Sequence, residues 1–259
     1  MATTIADLGR GHEFTGKLLR VLAEDGLNDE VPSILVNDRK ARHLAVQFLN
    51  ILAGSSGTVP SYQRARDILG DDFISPQEVA EARGVSYTEV QLSQLASTLP
   101  SKEVLQWARD NGFAVVAGPP SEMNILGIRD LNPQLFWSKQ SGWYAESSEK
   151  FARKDTTGTT WLVLRKDPVT NSTRKTWSEQ QELLTDVERV PNAAEAAWFF
   201  TTYAAVRGTR LVPNGYVRTS SVDSDGDHVH VGFDDGGLGV SSSWYGYCGD
   251  GIGVASARK

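Results

Sequence analysis

Cysteine is almost missing from this chain of 259 residues: Cys248 is the only one. A disulfide framework and every multi-cysteine zinc site are thereby excluded. Histidine is scarce as well, at positions 12, 43, 228 and 230. No apolar run approaches the roughly 20 residues that span a bilayer. The start, Met1-Ala-Thr-Thr-Ile-Ala-Asp7, has neither a basic nor an apolar leader region, so no signal peptide is expected. Positive charge is not in excess: 26 Lys and Arg against 32 Asp and Glu leave a net charge of −6. That argues against nucleic acid, whose binders normally carry a basic patch. Neither a Gly-x-Ser-x-Gly elbow nor a His-Glu-x-x-His pair occurs. These absences predict a non-enzyme with no catalytic residue, metal or cofactor and no membrane insertion. Its expected place is the cytoplasm, or a virion or surface assembly reached by a non-classical route. The remaining composition, 40% hydrophobic and 22% charged, is enough for a sizeable core.

The first 112 residues read as helical. Apolar spacing predicts helices over 15–24 and from an Asn37 or Asp38 cap to about Leu52. Further helices are expected at 63–69, 76–83, 87–96 and 101–111. Ser75, Pro76 and Glu78 form a cap, a first-turn proline and a capping box, with Gly84 as the stop. Strands follow at 113–117 and 160–165. Ser178-Glu-Gln-Gln181 predicts a helix to about Val187, and Asn192 with Glu195 opens another that Gly208 ends. Thereafter the chain reads as strand and turn: 210–212 and 216–220 around Asn214-Gly215, then 228–233, 238–244 and 252–257. The expected fold class is α+β: a helical region over 1–112, then a domain over 113–259 ending in a small antiparallel sheet. The tryptophans at 137, 143, 161, 177 and 198 are expected in the core.

Several motifs have competing readings. Residues 75–96 resemble a helix-turn-helix, which leaves a DNA-associated regulator as the alternative function. However, Tyr87-Thr-Glu-Val-Gln-Leu-Ser-Gln-Leu95 carries no Arg or Lys for phosphates. Gly249-Asp-Gly-Ile-Gly253 lacks the helix and downstream acid of a dinucleotide loop. Asp223, Asp225 and Asp227 have the spacing of a calcium loop's start, but His228 and Asp234 stand where that loop needs Gly and Glu. A turn on Asp225-Gly226 is the favoured reading, with calcium left open.

The C-terminal end is informative through another absence. From Ala196 to Arg258 there is no Lys, Glu, Gln or Met, types that usually supply roughly one residue in six. Between Asp223 and Gly251 only Asp, Gly, Ser, His, Tyr, Val, Phe, Leu and Cys occur, plus Trp244. Codons AAC and AAT with either adenine replaced by any base encode all of these but Trp, and never Lys, Glu, Gln or Met. Ser241-Ser-Ser243 and Tyr245-Gly-Tyr-Cys-Gly-Asp-Gly251 fit that alphabet throughout, and Cys248 is a natural by-product of it.

With the 192–207 helix, Gly208-Thr-Arg-Leu211, Val217-Arg-Thr-Ser-Ser221, Val231-Gly-Phe233, Gly237-Leu-Gly-Val240, Trp244 and Gly253-Val-Ala-Ser-Ala-Arg-Lys259, the tail resembles the variable proteins of diversity-generating retroelements. The resemblance implies a C-type-lectin-like fold of the formylglycine-generating-enzyme type over 113–259, a bacterial or viral origin, and a variable segment at about 228–252. Lectin calcium signatures and paired active-site cysteines are absent, so neither calcium-dependent sugar binding nor oxidase activity carries over. Alternation places Val229, Val231, Phe233, Leu238 and Val240 inward as scaffold, with Trp244 as the loop's anchor. The expected surface is His228, His230, Asp234, Asp235, Gly239, Ser241, Ser242, Ser243, Tyr245, Gly246, Tyr247, Cys248 and Asp250. Its Tyr, Ser and Gly are paratope residues. The expected partner is an unidentified protein or cell-surface ligand, with residues 1–112 serving tethering or self-assembly.

Overall fold

Local sequence signals build the helices, and one buried helix gathers them. The computed structural model describes residues 60–213 and 215–259. The helices expected at 15–24 and 37–52 lie outside the described residues, as does Asn214.

In chain order the helices are α1 (Pro60–Leu69), α2 (Pro76–Arg83), α3 (Glu89–Ser97), α4 (Lys102–Asp110), α5 (Ile125–Leu131), α6 (Phe151–Lys154), α7 (Trp177–Gln181) and α8 (Ala193–Arg207). The strands are β1 (Phe73–Ile74), β2 (Phe113–Ala117), β3 (Met123–Asn124), β4 (Thr156–Thr157), β5 (Trp161–Arg165), β6 (Glu188–Arg189), β7 (Tyr216–Val222), β8 (His228–Asp234), β9 (Gly237–Ser243), β10 (Ile252–Val254) and β11 (Ala257–Arg258). The architecture is mixed α+β, with a five-stranded sheet β1-β2-β5-β11-β6, a four-stranded sheet β10-β7-β8-β9 and a small β3-β4 pair.

α8 forms as its caps dictate. The Asn192 side chain accepts from the Glu195 N–H, Glu195 returns the bond, and Gly208 closes the helix at φ 67°. Most of its length has no solvent face: Ala193, Ala194 and every residue from Ala196 to Tyr203 are buried. A helix apolar all round belongs inside a core, and α8 touches both larger sheets. Trp198 at its centre donates from Nε1 to the Ala117 carbonyl at 3.0 Å. The buried Arg83 lies 4.5 Å over the Trp198 ring and donates to Thr201 and Thr202 at 2.8 and 2.7 Å. α2 is capped by Ser75 and Glu78 and stopped by Gly84, as its sequence predicts.

A domain boundary at 112 does not survive. The shift there from helix to strand is a change of element, not of packing. β1 pairs with β2, Phe73 opposite Val115, and Arg83 reaches α8, so 60–112 shares the core of 113–259. The compact unit runs from Thr58 to Lys259. A chain starting at Thr58 is therefore expected to melt cooperatively by circular dichroism. A chain starting at 113 loses Phe73, Ile74, Val79 and Arg83 from the core and is expected to show no cooperative transition.

Four other expectations change. The 178–187 helix is short: Thr176 caps it with Glu179 and it stops at Gln181. No strand forms at 210–212, where Val212 has φ 51° and Pro213 lacks an N–H for a ladder. The terminal sheet is not purely antiparallel, because β10 joins β7 in parallel. Nor is 252–257 one strand: β11 leaves for the other sheet and inserts between β5 and β6. No helix among the described residues is long and apolar enough to cross a membrane.

Candidate binding surface

β8 and β9 form a continuous antiparallel ladder, from His228 opposite Ser243 to Asp234 opposite Gly237. Opposed residues share a face. Val229, Val231, Phe233 and Leu238 are buried on one face and Val240 is partly buried there, as alternation predicts.

Alternation places the other face in water, but much of it is covered. Arg218 of β7, opposite His230, is fully buried. Its Nη1 donates to Gln180 Oε1 at 2.9 Å and to the Lys175 carbonyl at 3.3 Å, and its Nη2 donates to the Tyr247 carbonyl at 2.7 Å. These acceptors bring α7 and the 244–251 loop down over the sheet. His228 stacks on Trp177 with ring centres 3.8 Å apart. His230 is buried edge-on to Tyr216, and its Nε2 lies 3.1 Å from Ser243 Oγ. Burial and the Arg218 charge push the His230 imidazole down to about 4, and the same causes lower His228. Gly239 is buried too, and a Cβ there would stand 2.7 Å from the Tyr216 hydroxyl. His230 and Gly239 thus leave the expected surface, and His228 becomes its half-covered margin.

Asp234 and Asp235 are also separated from it. They occupy the β8–β9 turn, where Arg210 donates to both carbonyls at 2.6 and 3.2 Å. That turn is a seven-residue strand, about 20 Å, from the far loop. Trp137 rests there over Gly236 and is 64% exposed, outside the core where it was expected. Trp161, Trp177 and Trp198 are buried and Trp143 partly so.

The rest of the expected residues do come together. Ser241, Tyr245, Tyr247, Cys248 and Asp250 are exposed, with Ser242, Ser243 and Gly246 partly so. Trp244 is 60% exposed, so its ring does not anchor the loop; its carbonyl closes a turn within the loop, accepting from the Tyr247 N–H at 2.9 Å.

What anchors the loop is its own main chain. The carbonyls of Tyr245, Tyr247, Gly249 and Gly251 each accept a bond from outside it. The donors are the Trp177 N–H at 3.2 Å, Arg218 Nη2 at 2.7 Å, the Arg174 N–H at 3.0 Å and the Tyr216 N–H at 2.9 Å. Alternate carbonyls therefore point down to fixed donors, whatever side chains the loop bears. Sequence reading missed Arg174, Trp177 and Arg218 in this role. The one available signal was an arginine inside the otherwise uncharged run Tyr216–Val222.

Other candidates are spent on structure. Asp223 Oδ1 accepts from the Asp225 and Asp227 N–H groups at 3.0 and 2.8 Å, forming the expected turn. Among the described residues no group of three or more His, Cys, Asp or Glu is placed to share a metal. On α3, Gln91 donates to the Pro120 carbonyl and Gln94 to the Thr159 carbonyl. The two glutamines a recognition helix would offer to bases are thus engaged within the fold.

Comparison with protein-family models, with curated proteins and with solved structures finds no match to this chain.

Proposed function

We propose that the chain is a non-enzymatic binding protein. A lectin-like scaffold presents Ser241 to Gly251 to a protein or cell-surface ligand, and a retroelement diversifies that stretch. The observation that carries this reading is the set of main-chain carbonyls that fix the loop. A surface meant to change its side chains needs a backbone that does not depend on them, and bonds to the carbonyls of 245, 247, 249 and 251 meet that need. The side chains that result are exposed Tyr and Trp, which give rigid amphipathic contact area at low entropic cost, and Ser, which adds adaptable hydrogen bonding. The restricted alphabet covers the stretch except Trp244.

The DNA-regulator alternative has less support, because α3 carries no cation and its glutamines are engaged.

The gene locus tests the reading. A near-copy of the codons for 241–251, differing only where the copy has adenine and lying beside a reverse transcriptase gene, is the expected finding. Absence of any such copy, with codons in this stretch not ending in C or T, would refute diversification.

A further inference from the structure

We propose that Gly246 and Gly249 are positioning residues that set the pose of the two aromatic rings preceding them, Trp244 and Tyr247. The use of that pose rests on the display reading, whereas the geometry stands alone. A Cβ at Gly246 would lie 2.2 Å from Trp244 Cζ3 and 2.9 Å from Cη2. A Cβ at Gly249 would lie 2.5 Å from Tyr247 Cε1 and 2.9 Å from its Oη. Each ring thus folds back over the glycine two residues on.

The nearest obstacle at both positions is the ring: the three atoms closest to a Cβ belong to Trp244 at Gly246 and to Tyr247 at Gly249. Neither glycine has positive φ, so no left-handed backbone bars an L-residue there. Gly237 is different: its φ is 132°, and backbone atoms of Leu135, Phe136 and Trp137 lie within 2.8–2.9 Å of a Cβ. Gly232 is blocked by the Gly215 carbonyl. Gly251 meets nothing within 4 Å. A side chain at 246 or 249 therefore has one outlet, which is to turn the preceding ring into water. Trp244 and Tyr247 have water to turn into, being 60% and 41% exposed.

The consequence is a change of shape class without a change of anchor. With glycine at 246 and 249 the rings lie along the loop and make a flat aromatic face, suited to a flat apolar patch on a partner. With Ser, Asp, His or Tyr there, the rings stand up as knobs that need a concave partner. No codon of the AAC and AAT type encodes Trp, so Trp244 is constant in kind. Residue 246 still varies its pose.

Full-length protein labelled with 5-fluorotryptophan tests this by fluorine NMR, with Trp244→Phe assigning the resonance. Gly246→Ser and Gly246→Val are expected to move the Trp244 signal by more than its linewidth and increase its H2O/D2O isotope shift, while the Trp177 signal stays. Gly249→Ser is expected to leave Trp244 in place and move Tyr247, read with 3-fluorotyrosine. An unmoved Trp244 signal in both Gly246 variants overturns the proposal. So does a joint shift of Trp244 and Trp177, which would mean that glycine holds the loop backbone rather than the ring. A locus without a repeated template removes the display reading and leaves this result untouched.

Discussion

Arg218→Ala is expected to lower the unfolding free energy by about 3–4 kcal/mol, measured by urea denaturation at neutral pH. The change leaves one buried acceptor, Gln180 Oε1, and two part-buried ones, the Lys175 and Tyr247 carbonyls, without this donor. Each unsatisfied buried acceptor costs on the order of 1 kcal/mol or more, and the vacated volume adds to that. Arg218→Lys is expected to recover only part of the loss, since one ammonium cannot reproduce the guanidinium fork. Tyr247→Ala makes the contrast. It removes a half-exposed ring but keeps the carbonyl that Arg218 holds, so its cost is expected within about 1 kcal/mol. Equal costs for Arg218→Ala and Tyr247→Ala would mean that side chains, not main-chain carbonyls, hold the loop.

Stability is expected to fall as pH drops from 6.5 towards 4, and His230 is the main reason. In the folded protein burial and Arg218 hold this imidazole near 4, whereas the unfolded chain protonates it near the ordinary 6.5. Between those values the unfolded state binds the extra proton, so unfolding becomes easier as pH falls. About 2.5 units at 1.36 kcal/mol per unit give roughly 3 kcal/mol lost by pH 4. His228 shifts in the same direction. Glu78, held at about 2 against its burial by Arg66, Ser75 and Arg207, acts in a lower window, where stability is lost as pH falls from 4.5 towards 2. Urea denaturation at pH 7.5, 6.5, 5.5 and 4.5 separates the two. His230→Gln is expected to flatten most of the slope between 6.5 and 4.5. An unchanged slope in that variant would place the titration elsewhere.

The parts of the fold written in adjacent residues were legible. Ser75 with Glu78 and Asn192 with Glu195 cap their helices, and Gly84 and Gly208 end them in the left-handed region. The inward set Val229, Val231, Phe233 and Leu238 followed from alternation. Long-range events were not legible. β1 is two residues long, too short for any period, yet it ties 60–112 to the sheet. Nothing within 252–257 signals that the strand changes sheets after Val254. Alternation shows which residues share a face, not what lies over it, so the burial of His230 and Gly239 against the Tyr216 side chain could not be read from β8 and β9. The candidate surface was half legible for the same reason. Composition marked the stretch, whereas its boundary at about Ser241 depends on a cover built from Arg174, Trp177 and Arg218.

If main-chain bonds hold the 241–251 backbone, it should keep its shape whatever side chains it carries. The decisive experiment compares two displayed libraries under protease challenge. The first is randomised at Ser241, Tyr245, Tyr247, Cys248 and Asp250 with codons ending in C or T. The second, a control, is randomised at Tyr216, Arg218, His230, Trp177 and Gln180. Main-chain anchoring predicts that most members of the first library resist protease as the parent does, and that few of the second do. Comparable losses in the two libraries would contradict it.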